Sequence, residues 1–342
     1  MRALERKVKN RIRGLIYNKY YYWYFIRKQR DNKQYSEIIQ YYKEPNNDAV
    51  PHFVISVFDG KIRSGGLADR LKGIVSTYAV CKSLNKDFRI HFVSPFPLTD
   101  FLVPNNYDWT IKQEDVSESA EDTDVIVLGT TQDSKYQYRK QKEYLTMALC
   151  GTEKQEHVYT NAGFAYDLNF RQLYAELFRP SVRLQRAIDN MLSKIGDKYI
   201  SVSCRFLNLL GDFNEPYGYD HPLSIFEKKK LIDAIEKEID KLHDEWKGYS
   251  ILLNSDSSSF LKHMSDRDYI VINEGNITHI DNEKTEYSYE KYEKTFLDLY
   301  GIANAEHIYL IKDNRMFKSG FPYMASKIGN KKYEIIEVGQ EK

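Results

Sequence analysis

The sequence predicts an α/β fold: two Rossmann-like domains that follow a basic, aromatic helical segment. The chain has 342 residues, more than a single hydrophobic core usually contains. Hydrophobic residues make up 42% and charged residues 29%, so the composition is that of a globular protein. From about residue 50 onward, short β-rich runs alternate with helical patterns, which is typical of parallel sheets joined by crossover helices.

The N-terminal segment differs from the rest of the chain in charge and in aromatic content. Residues 1–43 have the apolar spacing of a helix, with basic residues between the apolar ones. Residues 1–30 contain ten Lys or Arg and one acid, a charge of +9; since the whole chain carries +1, the remainder carries −8. The run YYYWYF at 20–25 adds rings that favour a bilayer interface. We predict an in-plane anchor on an anionic membrane; the alternative is a helical arm packed on the body or an oligomer contact.

Composition also excludes several classes of protein. The body is acidic, which argues against nucleic acid as a partner. The three cysteines, Cys81, Cys150 and Cys204, are too few and too scattered for a disulfide framework or a zinc site, so a reducing compartment is expected. No run of about 20 apolar residues predicts a spanning helix, and no signal peptide is evident. We therefore expect a cytoplasmic protein that is peripheral on the inner face of the membrane.

The individual elements follow from the alternation of strand and helix patterns. Runs rich in branched and aromatic residues predict strands at 52–58, 88–93, 124–128, 199–204, 249–254, 268–273, 307–311 and 333–338. Helical spacing predicts helices at 67–84, 181–195, 224–246, 287–300 and 321–329. A boundary near 165–180 gives three parts: the basic segment 1–45, a domain 46–168 and a domain 169–342.

The first motif is SGGLADRLKG at 64–73, between a strand and a helix. Gly65 and Gly66 allow a tight turn and a close approach to a ligand, and the free N–H groups of the helix start can hold an anion or a sugar hydroxyl. The motif is neither GxGxxG nor a Walker loop. The alternative is an ordinary turn in which Asp69 caps the helix and Arg70 faces solvent.

The second motif places Arg205 at the end of a buried strand, with Asn208 and Asp212 in the loop that follows. The carboxyl ends of strands in open α/β sheets face the ligand crevice, and guanidinium binds phosphate through paired, charge-assisted hydrogen bonds. These residues suit a diphosphate. The alternative is that Arg205 pairs with a nearby carboxylate.

Two further motifs have the same strand-to-helix position. Asp256, in NSDSSSF at 254–260, would hydrogen-bond the base or ribose of a nucleotide; the alternative is a simple N-cap. Ser319, Gly320 and Phe321 precede Pro322 at a helix start, where unpaired N–H groups form a phosphate seat.

Taken together, the four motifs resemble the fucosyltransferase superfamily with the GT-B fold, which includes α1,2-, α1,6- and protein O-fucosyltransferases. The resemblance covers about residues 52–335; Ser203 stands where the family usually has His. It implies two Rossmann-like domains facing across a cleft, with the Gly-Gly loop on the acceptor side and the nucleotide sugar in the second domain. It also implies that Arg205 binds the GDP diphosphate and that Ser319 and Phe321 hold phosphate.

The activity implied is an inverting, metal-independent transfer of fucose from GDP-fucose. The acceptor would be a glycan or a lipid-linked oligosaccharide in bacterial surface polysaccharide biosynthesis. No cofactor or metal is expected, because Arg205 and a helix start can neutralise the leaving diphosphate, and Asp122-Thr123-Asp124 precedes its strand rather than following it. Asp69 is one candidate for the general base, and His279 with Asp281 is another. Two alternatives stay open: another nucleotide sugar, or a non-catalytic, membrane-recruited binding protein of the same fold.

Overall fold

The computed structural model describes residues 33–43, 50–128, 135–150, 154–161, 163, 169–213, 222–278, 280 and 286–339. The predicted membrane anchor at 1–30, and both His279 and Asp281, lie outside the described residues. The chain forms two compact units. The first consists of Met1–Gly65, Asp69–Ser94 and Asn106–Asn169, and the second of Gly66–Ala68, Pro95–Asn105 and Phe170–Lys342.

The described elements alternate as the sequence predicts. In chain order they are α1 (Lys33–Ile39), β1 (Val54–Phe58), α2 (Leu67–Leu84), β2 (Phe88–Phe92), β3 (Leu102–Pro104), β4 (Thr123–Leu128), α3 (Lys135–Leu149), β5 (Gln155–Thr160), α4 (Phe170–Leu177), β6 (Phe178–Pro180), α5 (Val182–Ile195), β7 (Tyr199–Cys204), α6 (Ile225–Glu245), β8 (Ser250–Ser255), α7 (Ser258–Met264), β9 (Ile270–Val271), α8 (Tyr289–Asn304), β10 (His307–Lys312), α9 (Phe321–Gly329) and β11 (Lys332–Glu337).

The first unit is built on a four-stranded parallel sheet in the order β2-β1-β5-β4. The two inner strands, β1 and β5, are buried along their whole length. β1 is apolar, as expected for a buried parallel strand. β5 begins with Gln155, Glu156 and His157 and was not predicted, because its polar residues interrupt the apolar pattern. Glu156 pairs with Lys86 at 2.5 Å, and burial nevertheless raises the pKa of Glu156 to about 7.

The second unit is built on a five-stranded parallel sheet in the order β11-β10-β7-β8-β9. β7 is buried throughout. Helices with one apolar face cover the sheet; α5 buries residues three or four positions apart, namely Leu184, Ile188, Met191 and Ile195. Ser181 accepts the N–H of Leu184 at the start of α5, and a capping box of Ser224 and Glu227 starts α6.

The structure also differs from the sequence-based prediction at the following places. The strand expected at 268–273 is limited to Ile270–Val271. Helices α3 and α4 were not predicted: the polar residues of α3 hide its helical period, whereas α4 has only eight residues, with Phe170, Tyr174 and Leu177 on its buried face. Segment Pro95–Asn105, assigned from sequence to the first domain, belongs to the second unit, where β3 pairs antiparallel with β6.

Two further observations on the described residues concern membrane-spanning helices and the cysteines. Length and hydropathy together rule out a bilayer-crossing helix among the helices that the structure describes. All three cysteines are free thiols: Cys81 and Cys204 are buried, and Cys150 is exposed.

Candidate functional site

Three loops of the second unit leave the sheet at its carboxyl edge. β7, β8 and β10 are parallel neighbours, so the residues that follow them lie along one edge. Arg205 follows β7, Asp256 follows β8, and the loop after β10 leads to Ser319 and Gly320. The second, third and fourth sequence motifs are therefore brought together at one edge of one sheet.

Asp256 fixes the backbone that carries Arg205. Its two carboxylate oxygens accept the N–H groups of Phe206 and Leu207, each at 2.8 Å. Leu207 has a φ of 56°, a conformation that costs a non-glycine residue energy and needs support from its surroundings. Asp256 is 7% exposed; burial raises its pKa, against the opposing influence of Arg205 and the two N–H groups. Its contacts are those of a loop anchor, and its predicted contact with a base or ribose stays a prediction.

Arg205 also contacts the loop that follows β10. The N–H of Phe317 donates to the carbonyl oxygen of Arg205 at 3.2 Å, and the guanidinium carbon lies 5.8 Å from the centre of the Phe317 ring. The Phe317 side chain is 51% exposed. An exposed ring beside an arginine can stack on a planar group. Phe317 was not among the predicted site residues; its signal in the sequence is an aromatic residue two positions before the Ser319-Gly320 turn.

Asn208 and Asp212 both lie in the loop after Arg205, but their side chains have different surroundings. Asn208 has a buried side-chain oxygen with no hydrogen-bond partner among the described residues. Asp212 instead caps α7: it accepts the Ser257 hydroxyl and the Ser259 N–H, both at 2.8 Å. Burial acts to raise the pKa of Asp212, but these hydrogen bonds outweigh it and lower the pKa. Asp212 thus has a capping role in the structure, and its predicted place beside a diphosphate stays a prediction.

The start of α9 is open towards an incoming anion. The Phe321 N–H donates to Ser319 Oγ at 3.3 Å, and Pro322 occupies the first turn. Gly320 is the N-cap residue; it makes no side-chain cap, and no atom lies within 4 Å of the place where a Cβ would be. The first N–H groups of a helix bear partial positive charge, so this end of α9 has the form of a phosphate seat.

Two buried polar residues precede these loops. Ser203 on β7 and Asn254 on β8 are neighbours in register, and are 6% and 7% exposed. Ser203 Oγ and Asn254 Oδ1 have no hydrogen-bond partner among the described residues. In the sequence, each is a polar residue just before the end of an apolar strand.

In the first unit, Arg70 holds the backbone at Gly65. Arg70 is 5% exposed; its Nε donates to the Gly65 carbonyl at 2.9 Å and its Nη1 to the Ser94 carbonyl at 2.7 Å. It is therefore a buried clamp, and the alternative of a solvent-facing arginine is wrong. Gly65 has a φ of 78°, and a Cβ there would lie 2.6 Å from Asp69 Oδ2. Asp69 is half-exposed and pairs with Lys72 at 2.5 Å.

The residues that the structure describes hold no cluster of three or more His, Cys, Asp or Glu placed to bind a metal ion. The expectation of a metal-free site was made from the sequence and stays a prediction.

No protein-family model matches the chain, and no curated protein matches it by sequence. Solved structures do match it. FUT1 from Arabidopsis thaliana, in complex with GDP, has a TM-score of 0.52 and 12% identity, over 91% of this chain and 75% of that one. The α1,6-fucosyltransferase NodZ from Bradyrhizobium, co-crystallised with GDP, has a TM-score of 0.50 and 14% identity, over 81% of this chain and 92% of that one. POFUT1 with GDP has a TM-score of 0.50 and 9% identity, over 85% and 100%.

These likenesses extend over most of the chain and over most or all of each matched structure. At such low identity they concern the course of the backbone. The chain therefore has the GT-B fold of the fucosyltransferases.

Proposed function

We propose that this protein is a glycosyltransferase that takes fucose from GDP-fucose. The observation that carries the proposal is the contact of Arg205 with Phe317, in the loop that leads to the Ser319-Gly320 turn, at one edge of the second sheet. The fold supports it, since the matched structures include fucosyltransferases crystallised with GDP or GDP-fucose.

The second unit would hold the nucleotide. Arg205 would bind the diphosphate through paired hydrogen bonds, and the first N–H groups of α9 would meet the second phosphate. Asp256 would keep the Arg205 loop in place, because it already holds two N–H groups of that loop. Asn208, with its buried unpartnered oxygen, would contact the nucleotide as well.

The reaction would be an inverting displacement that needs no metal. The acceptor oxygen attacks the anomeric carbon of fucose from the face opposite the phosphate, and the bond from that carbon to the diphosphate breaks. Negative charge then grows on the diphosphate, where Arg205 and the start of α9 offer fixed positive charge. The acceptor hydroxyl must also lose its proton. Asp69 is the sequence-derived candidate for the base, although its carboxylate pairs with Lys72.

The acceptor would be a glycan or a lipid-linked oligosaccharide of a surface polysaccharide. The +9 charge of residues 1–30 supports an anionic membrane surface as the place of reaction, at the cytoplasmic face. The first unit, which carries Gly65 and Asp69, would receive this acceptor.

The experiment that tests the proposal is a donor panel with the purified full-length chain. GDP-fucose, GDP-mannose, UDP-glucose and UDP-galactose are incubated with it, and the released nucleotide is measured. Calorimetry with GDP and UDP gives the base preference without an acceptor. Release from GDP-fucose above all other donors is expected; tighter binding of UDP than of GDP would contradict the proposal.

A further inference from the structure

A chain of buried hydrogen bonds crosses the first unit and ends at a carboxylate. It runs from Gln155 through His157, Tyr42 and Tyr159 to Asp59. Gln155 Oε1 lies 2.6 Å from His157 Nε2, and His157 Nδ1 lies 2.7 Å from the Tyr42 hydroxyl. The hydroxyls of Tyr42 and Tyr159 are 3.0 Å apart, and Tyr159 lies 3.0 Å from Asp59 Oδ2. None of the four sequence motifs includes these residues.

At the Gln155 end of this series of hydrogen bonds, the donor and the acceptor of each bond are fixed. The Gln155 amide nitrogen donates to the carbonyls of Pro51 and Asp115, and its oxygen accepts the N–H of Ser117. The oxygen can therefore only accept from His157, so His157 Nε2 carries a hydrogen. Burial lowers the pKa of His157 to about 3, which keeps the ring neutral. The other ring nitrogen, Nδ1, is then an acceptor, and Tyr42 must donate to it.

At the Asp59 end of this series of hydrogen bonds, two arrangements of the hydrogens are possible. Burial raises the pKa of both tyrosines, so each keeps its single hydroxyl hydrogen. Tyr42 has used its hydrogen on His157. While Asp59 is ionised, Tyr159 donates to that carboxylate, and the contact between the two tyrosine oxygens contains no hydrogen. When Asp59 carries a proton it donates to Tyr159, which turns to Tyr42, and every contact then contains one hydrogen.

Lys61 and Glu118 are the charged neighbours of Asp59 in the described contacts. Asp59 Oδ1 accepts the Lys61 N–H at 3.1 Å, and Lys61 Nζ lies 3.2 Å from Oδ2 and 2.8 Å from a Glu118 oxygen. Burial acts to lower the pKa of Lys61, but Glu118 and Asp59 outweigh it and raise the pKa. His91, on β2, interacts electrostatically with Asp59, Lys61 and Glu118, and burial lowers its pKa. Lys61 thus stays paired with Glu118 when Asp59 is neutral.

The position of Asp59 is that of a site residue. It directly follows β1, an inner strand of the open parallel sheet, and precedes the Gly65 turn. Ligands of such sheets bind at the carboxyl ends of the strands. A carboxylate at this edge that ends a buried hydrogen-bond network is placed to take part in proton transfer.

We propose that Asp59 is the proton acceptor of the transfer reaction, and that Tyr159, Tyr42 and His157 are positioning residues for its protonated form. The inference rests on the proposed function. As the acceptor oxygen bonds to the anomeric carbon and the diphosphate leaves with its electron pair, the hydroxyl proton passes to the Asp59 carboxylate. Asp59 later returns it to solvent.

The test uses the full-length chain with GDP-fucose, with water and a panel of oligosaccharides as acceptors, from about pH 5 to about pH 9. Asp59→Asn should lower kcat by ~10²–10⁴ and leave GDP affinity unchanged in calorimetry. Tyr42→Phe leaves the Tyr159–Asp59 contact intact but removes the hydrogen-bond network that would stabilise protonated Asp59. The acidic limb of the kcat/KM profile should therefore move to lower pH. Tyr199→Phe is the matched control: it removes a buried tyrosine bond, to the Gly301 carbonyl in the second unit, and should not move that limb.

The outcomes separate the two proposals. A wild-type chain that releases no GDP from GDP-fucose overturns the proposed function and this inference with it. A wild-type chain that turns over, while folded Asp59→Asn does so at a near-normal rate, overturns only the role of Asp59. If Asp59→Asn does not fold, the pH profile decides: equal acidic limbs in the wild type and Tyr42→Phe contradict the inference.

Discussion

Phe317 donates its backbone N–H to the carbonyl oxygen of Arg205 at 3.2 Å. This bond joins the loop after β10 to the loop after β7, and so joins two motifs that are far apart in sequence. Asp256 holds the Arg205 loop from the other side through Phe206 and Leu207. The arginine is thus preorganised from both neighbouring strands, which reduces the entropy that a ligand must remove on binding.

Replacing Arg205 should weaken nucleotide binding. We expect Arg205→Ala to cost ~2–4 kcal/mol in GDP affinity, since a buried phosphate contact would be lost. Calorimetry measures this directly. Arg183→Ala is the control, because Arg183 is an exposed arginine of the same unit that pairs with Glu290. Equal GDP affinity in the wild type and a folded Arg205→Ala variant would remove Arg205 from the phosphate site.

Turnover should survive removal of divalent metal. Arg205 and the start of α9 supply fixed positive charge where the diphosphate leaves, which is the part a metal ion would otherwise play. GDP release from GDP-fucose is measured before and after EDTA and dialysis. Loss of turnover in chelator that Mn²⁺ restores would be incompatible with the metal-free mechanism.

The two glycines of the early loop should differ in their tolerance of a side chain. Gly65→Ala places a Cβ 2.6 Å from Asp69 Oδ2 at a φ of 78°, and should destabilise the fold by ~1–3 kcal/mol. Gly66→Ala has no atom within 4 Å of the new Cβ and should cost less than about 1 kcal/mol. Urea unfolding of both variants measures the difference. Equal stability of the two would show that the loop relaxes freely around Asp69.

Folding stability should depend on the ionisation of Glu156. Its pKa is raised from 4.5 to about 7 in the folded protein, so the folded state binds the proton more tightly than the unfolded chain. This contribution is complete below about 4.5 and is lost as the pH rises through about 7. We expect Glu156→Gln to remove a fall of ~1–3 kcal/mol across that window. Identical pH profiles of urea unfolding in the variant and the wild type would contradict this.

The N-terminal segment should bind anionic membrane. Ten basic residues against one acid in 1–30 provide electrostatic attraction worth about 1 kcal/mol for each residue near the surface. Flotation with phosphatidylserine vesicles at low and high salt tests this, with a deletion of residues 1–30 as the control. Trp23→Ala measures the share of ring insertion. Equal flotation of the deletion variant would favour a helical arm instead.

Elements with a clean apolar pattern could be predicted from the sequence. The bounds of α2, α9 and β7 agree with the prediction, because each has a regular period and clear turn residues at its ends. β5 could not be predicted, since it buries Gln155, Glu156 and His157 and satisfies them with partners distant in sequence.

The candidate site could be predicted only where its residues have a local signal in the sequence. Glycine turns and an arginine after a strand are local signals, so the motifs around Arg205 and Ser319 were found. The cap made by Asp212 depends on where α7 begins in space, and the clamp made by Arg70 depends on Ser94. Asp59 was overlooked because an acid before a glycine is a common turn. Its significance lies in its hydrogen bond with Tyr159, and through Tyr159 with Tyr42, which only the fold reveals.

The path of segment Pro95–Asn105 means that the two units are not separable by a single cut. A fragment that begins at residue 170 would lack Phe101, whose ring stacks on Phe296 at 4.3 Å and on Tyr289 at 4.4 Å. It would also lack β3, leaving β6 without its partner strand. Such a fragment would expose apolar rings and an open strand edge, both of which promote aggregation. Supplying residues 95–105 as a separate peptide is the natural way to rescue it, and the pair would form a split protein whose reassembly can be followed.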